Sequence, residues 1–143
     1  MISFSIPGEP TAKGRHRSTI RRTSSGKAFI RNYTPAKTAN YEDKVGSMAM
    51  VAMIGKEPLD QALRVTLSAY IQIPQSWSKK KKAAALAGEV FPTCKPDIDN
   101  IGKAVLDGMI GIVFMDDSCV CDVFKRKRYS DNPRVEVTVD AIV

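Results

Sequence analysis

Between residues 97 and 122 the chain carries six acids, Asp97, Asp99, Asp107, Asp116, Asp117 and Asp122, against one base, Lys103. An acidic cluster needs a cause in a protein whose net charge is +7. Carboxylates held close together repel, and one stays protonated unless a cation neutralises the group. A hard divalent cation with oxygen ligands, such as Mg²⁺, is the simplest resolution. The other candidate chemistries are poorly supplied. The single histidine, His16, is far in sequence from Cys94, Cys119 and Cys121, and those cysteines lack the CxxC spacing of a zinc site. Their odd number also argues against a disulfide framework, so they are expected as reduced thiols, at least partly buried. No serine triad or activated cysteine suggests itself, and no organic cofactor is expected. The chemistry is metal-assisted or absent.

Helical geometry sharpens the acidic segment. Over about residues 98–109, Ile98, Ile101, Val105, Gly108 and Met109, with Ile112 beyond, fall on one apolar arc. Asp99, Asn100, Lys103 and Asp107 fall opposite, within roughly 100° of one another. Asp99 and Lys103 are four residues apart and can pair. Asp97 just precedes the helix, where it can cap the free amides or lean toward Asp99. From spacing alone a plainer reading stays open: an N-capped amphipathic helix with a solvated charged face, followed by an Asp116-Asp117 turn.

The elements that must position these residues show clear patterns. Ile2, Phe4 and Ile6 alternate with Ser3 and Ser5, as in a half-buried strand. A second strand puts Leu63, Val65, Leu67, Ala69, Ile71 and Ile73 on one face. A third, less regular, runs from about Cys119 to Tyr129, and a fourth points Val135, Val137, Val139 and Ala141 inward. The Asp131-Asn132-Pro133 turn predicts that the last two strands form a hairpin. Helices are predicted over 36–54, over 79–87 between an N-cap at Ser78 and a stop at Gly88, and over 98–109. Strands with one wet face need helices on the other. The expectation is an α+β fold in one domain spanning 1–143, with a sheet of about four strands, mixed or antiparallel, and helices packed on one face. No apolar run approaches the ~20 residues of a membrane helix, and the N-terminus reads as a strand rather than a leader, so no membrane contact and a cytoplasmic location are expected.

The positive charge is concentrated. Residues 8–34 hold Lys13, Arg15, Arg17, Arg21, Arg22, Lys27 and Arg31 against Glu9 alone, a net +6. This segment fits no core element; Gly14, Gly26 and the run Thr23-Ser24-Ser25 suggest a basic ribbon or loop. A localised basic stretch is the footprint of a polyanion partner, although a solvated arm would look the same. Lys79, Lys80, Lys81 and Lys82 open a helix, where each positive charge opposes the macrodipole by about 0.3–1 kcal/mol. Phosphate contact and a solvated lysine face both remain open there. Lys125-Arg126-Lys127-Arg128 lies on a strand, so only half of it serves any one surface. Trp77 reads as a packing anchor before a base-stacking residue.

The segment Lys95-Pro96-Asp97-Ile98-Asp99-Asn100-Ile101-Gly102-Lys103-Ala104-Val105-Leu106-Asp107, followed by Phe114-Met115-Asp116-Asp117-Ser118, resembles the signature of the RusA family of Holliday junction resolvases. Pro74-Gln75-Ser76-Trp77-Ser78, Lys13-Gly14-Arg15 and Tyr33-Thr34-Pro35 are similar in kind and order, so the resemblance spans most of the chain. It implies a RusA-like fold and Mg²⁺-dependent (Mn²⁺ as alternative) cleavage of four-way DNA junctions by a homodimer, in bacteria and their phages. It places the essential carboxylates at Asp97, Asp99 and Asp117, with Asp116 as an adjacent candidate ligand, and the motif lysine at Lys103. Lys103 would orient water or stabilise the phosphate, and Lys13, Arg15, Arg17, Arg21, Arg22, Lys27, Lys79, Lys80 and Lys81 would meet DNA. Gly102 and Gly108 depart from the larger residues of the pattern and predict a helix weakened by up to ~1 kcal/mol each.

Two rivals stand beside a junction-resolving nuclease. One is a non-catalytic basic DNA-binding module whose acids only cap and solvate. The other, a phosphotransferase on small substrates, fits poorly with the basic arm. For either DNA-binding reading, neutralising Arg15, Arg17, Arg21 and Arg22 together is expected to weaken junction binding. Every phosphate that thereby goes unneutralised should flatten the slope of log K against log[salt] by about 0.9. An unchanged slope in anisotropy titrations would reduce the segment to a solvated arm.

Overall fold

The computed structural model describes residues 1–12, 17–22, 28–33 and 36–143, without the side chains of 17–22 and 28–33. The elements are β1 (Ile2–Pro7), β2 (Arg17–Arg22), β3 (Ala28–Tyr33), α1 (Ala36–Ala52), β4 (Leu63–Gln72), α2 (Lys79–Leu86), α3 (Ile98–Met109), β5 (Val120–Ser130) and β6 (Arg134–Ala141). The fold is α+β, with a mixed four-stranded sheet in the order β1-β6-β4-β5.

β4 takes a central position because its inner face is apolar from end to end: Leu63, Val65, Leu67, Ala69 and Ile71 are all buried. It pairs antiparallel with β6 and parallel with β5. The register aligns Ile2 and Ile6 of β1, Val135, Val137 and Val139 of β6, and Val65, Leu67 and Ala69 of β4 on one face. A parallel pair cannot be closed by a tight turn; here α2 and α3 make the crossover from β4 to β5.

The expected hairpin of the last two strands does not form. β5 and β6 lie on either side of β4, and Asp131-Asn132-Pro133 carries the chain across the end of that strand. Backbone bonds from Ile73 N–H to the Ser130 carbonyl, 3.1 Å, and from Gly8 N–H to the Pro133 carbonyl, 3.1 Å, hold the crossing. A turn sequence shows that the chain reverses, but not which strand fills the space between its arms. Ala141 also departs from expectation: it is exposed at the strand end.

The outer face of the sheet is polar and internally paired. The Ser3 and Thr138 hydroxyls lie 3.2 Å apart, Arg64 meets Asp122 at 3.1 Å, and Arg126 Nε donates to Ser68 Oγ at 3.0 Å. The inner face is covered by α1 and α3. Tyr41, Val45 and Ala49 of α1 pack with Ile101, Ala104, Val105 and Met109 of α3, and with Val113 and Phe114 just beyond it. β2 and β3 form a separate antiparallel ribbon with Ile20 opposite Ile30, so the basic segment contains strands. Lys13, Arg15, His16 and Lys27 lie outside the described residues.

α2 has the predicted punctuation. Ser78 Oγ accepts from Lys81 N–H at 3.2 Å, and Gly88 adopts φ +79°. Glu89 N–H then reaches the Ala84 carbonyl at 2.9 Å, satisfying an end that would otherwise be open. Trp77 is the anchor expected: Tyr129 meets it edge-on at 5.0 Å and the Lys81 ammonium covers it at 3.9 Å.

The two glycines that depart from the motif have packing roles. A Cβ on Gly108 would stand 2.7 Å from Val45 Cβ and 3.0 Å from the Glu42 carbonyl oxygen, so α1 and α3 meet too closely for any side chain there. The Gly108→Ala change gains about 1 kcal/mol of helix propensity against an overpacking cost of about 1–3 kcal/mol. We expect a net loss of unfolding free energy in urea titrations. A net gain would show that the two helices separate freely.

Candidate active site

Asp97 and Asp99 stand at the start of α3, and the burial of Ile101, Val105 and Met109 on the other side turns them outward. Both are exposed. Asp97 has the extended backbone of an N-cap, φ −69° and ψ 143°, yet its carboxylate makes no capping bond. Part of the plainer reading fails here, because this acid is not used to close the helix.

The loop entering α3 is tied to β5. Lys127 Nζ donates to the carbonyls of Cys94, 2.6 Å, and Pro96, 3.1 Å. The intervening Lys95-Pro96 peptide is cis. Two residues earlier on the same face, Lys125 Nζ donates to Asp99 Oδ1 at 2.9 Å. That hydrogen bond, with the ammonium's charge, holds the Asp99 carboxyl below the usual carboxylate range. The sequence pairing of Asp99 with Lys103 is therefore replaced by one with Lys125, which approaches from the sheet; Lys103 is exposed one turn along the helix. Gly102 makes this approach possible, since a Cβ there would lie 2.8 Å from Lys125 Cδ.

The six acids separate by role. Asp116 caps the short 3-10 turn Asp117–Cys119: its Oδ2 accepts from the Ser118 hydroxyl at 2.6 Å and the Ser118 N–H at 3.4 Å. These bonds lower its pKa. Asp122 is taken by Arg64 on the outer face. Asp107 faces α1 and lines a depression with Glu42 and Asp43. Asp117 is exposed.

Asp117 is not brought beside Asp97 and Asp99 within one chain. Lys125, which contacts Asp99, lies five residues into β5 beyond Val120, about 16 Å of extended strand. Asp117 precedes Val120, near the point where Met115 N–H bonds the Leu59 carbonyl at 3.1 Å. The twelve residues of α3, about 18 Å long, run between the two ends. Among the described residues no three His, Cys, Asp or Glu side chains are placed to hold a metal ion together. Donor type still suits a hard cation: Asp97 and Asp99 offer exposed carboxylate oxygens two residues apart.

Of the residues expected to meet DNA, the described ones lie on two elements. Lys79, Lys80 and Lys81 are exposed on the first turn of α2. Arg17, Arg21 and Arg22 lie on β2, with side chains outside the described residues. All three cysteines are free thiols, but the expected burial holds only for Cys119, which is half-buried; Cys94 and Cys121 are exposed, one in a loop and one on the edge strand.

Sequence reasoning missed the roles of Lys125 and Lys127. Alternation along the basic run put them on one face, and that was the available signal. Knowing that this face looks toward α3 required the parallel register with Leu67 and Ala69. No described helix is long and apolar enough to cross a membrane.

Comparison with known proteins agrees with the motif. An uncharacterized Bacillus subtilis (strain 168) protein, YqaN, is 38% identical over 143 residues, covering 96% of this chain and 94% of its own length. Residues 7–140 match the family model described as endodeoxyribonuclease RusA. The acids at the start of α3 and the Asp-Asp step before β5 thus fall within a match of nearly the whole chain, and the protein belongs to the RusA endodeoxyribonuclease family.

Proposed function

We infer that the protein is a metal-dependent endonuclease that resolves four-way DNA junctions by paired nicks, working as a homodimer in recombination or repair. The observation that carries this reading is the start of α3 within the family match: two exposed carboxylates, one at a cap position without capping, on a protein of charge +7. A module that only bound DNA would gain nothing from outward acids, which repel phosphates. That makes the non-catalytic reading the weaker one.

Asp97, Asp99 and Asp117 would hold Mg²⁺ or Mn²⁺. When bound, the cation activates water and neutralises charge developing on the scissile phosphate. Asp117 is favoured over Asp116 because the Asp116 carboxylate already closes the 3-10 turn. Lys103, exposed one turn beyond Asp99, would meet the phosphate or orient a water. Lys127 fixes the loop entering α3 and so the backbone of Asp97. The basic β2–β3 ribbon and the lysines of α2 supply contacts to DNA phosphates. Work on DNA suits the cytoplasm of a bacterial cell, whether the gene is the host's or a phage's.

The separation of Asp97 and Asp99 from Asp117 supports the homodimer. Two copies related by a two-fold axis can bring the α3 start of one to the Asp117 end of the other, twice over. Such pairing gives two equivalent sites on a substrate that needs two cuts. Sedimentation is expected to give about twice the chain mass of 15.7 kDa.

Asp97→Asn, Asp99→Asn and Asp117→Asn homodimers are each expected to bind a labelled junction in Mg²⁺ without cutting it. Full cleavage by one of them would remove that residue from the site. Mixing Asp97→Asn with Asp117→Asn chains is the sharper measurement. If each site draws on both copies, the mixed dimer has one intact site and nicks one strand. If each site lies within one chain, the mixture stays inactive.

A further inference from the structure

β5 forms an edge of the sheet, and its inner face carries Val123, Lys125, Lys127 and Tyr129. Lys125 stands opposite Leu67 and Lys127 opposite Ala69, and both partners are buried. An ammonium group at an inward position is costly unless it is bonded. Lys127 meets that need with two backbone carbonyls. Lys125 meets it with a carboxylate of the candidate site. Its side chain is only 27% exposed while that of Asp99 is 85% exposed, so the lysine lies beneath the acid and leaves its outer side open. The stem is channelled over Gly102, where a Cβ would sit 2.8 Å from Cδ.

We propose that Lys125 is a further functional residue of this site: its ammonium occupies Asp99 until a divalent cation takes the carboxylate, and then binds a DNA phosphate beside it. The proposal rests on the reading of Asp97 and Asp99 as cation ligands. An ammonium at 2.9 Å and a dication on the same carboxylate repel each other, so binding the cation loosens the pair. The backbone of Lys125 is fixed by the ladder with β4, which leaves only the side chain to move. Its released charge can then meet the phosphate that the substrate brings to Asp99.

The test uses full-length protein and Lys125→Gln, which keeps a polar side chain and removes the charge. Calorimetric titration with Ca²⁺ in the absence of DNA is expected to show binding at least about threefold tighter than wild type, because a competing like charge is gone. Anisotropy with a four-way junction in Ca²⁺ is expected to show weaker binding, with the salt slope smaller by about 0.9. Lys125→Arg should restore that slope. Equal Ca²⁺ affinity in wild type and Lys125→Gln overturns the proposal, and so does an unchanged salt slope. Should Lys125→Gln fail to fold, Gly102→Ala displaces the stem and is read by the same calorimetry, with the same two outcomes. Wild-type protein that bound no Ca²⁺ would overturn the metal reading and this proposal together. Binding indifferent to residue 125 would overturn the proposal alone.

Discussion

The site depends first on how α3 is held. Ile101, Ala104, Val105 and Met109 are wholly buried against the sheet and α1. Each of the larger side chains contributes about 1.5–3 kcal/mol by leaving water. This burial leaves α3 little freedom to rotate. A turn of the helix by one residue, about 100°, would expose that face and swing Asp99 away from Lys125. The glycine at 108 tightens the arrangement, because the Val45 side chain fills the space that any larger residue would need. Two outward carboxylates are thus positioned by apolar contacts on the opposite side of their helix.

Local patterns were legible in the sequence. Period-two alternation located β1, β4 and β6, and the arc from Ile98 to Ile112 predicted a helix over about 98–109, which is where α3 runs. Ser78 and Gly88 marked α2 because capping is a local matter of backbone groups and φ angles. Pairing between distant segments was not legible. The Asp131-Asn132-Pro133 turn gave no sign that β4 would lie between its arms, because strand neighbours are chosen by the whole apolar face of the sheet.

The candidate site divides along the same line. Asp97 and Asp99 share a short segment, so their common placement followed from spacing. Asp117 belongs to the second segment of the motif and lies at the far end of α3, and a one-dimensional pattern cannot show how far it stands from them. The i to i+4 rule suggested Lys103 as the partner of Asp99. A lysine from the neighbouring strand took that place, since its stem crosses a glycine and its shielded ammonium needs a carboxylate more than an exposed one does. Gly102 and Gly108, which looked like flaws in a helix, each make room for a neighbour.

The inward lysines of β5 also bear on solubility. An edge strand leaves a row of unpaired backbone groups that invites another strand to add on, and buried charge is one means by which proteins discourage it. β5 needs such protection: it has eleven residues, and Val123 and Phe124 are exposed on it. A strand docking there would have to extend the inner face past Lys125 and Lys127, whose ammonium groups are already committed to the α3 region. The residues that organise the acidic end of α3 therefore also guard the sheet against open-ended growth. Replacing both with apolar residues would favour fibrous assembly of the folded protein, even if every helix stayed in place.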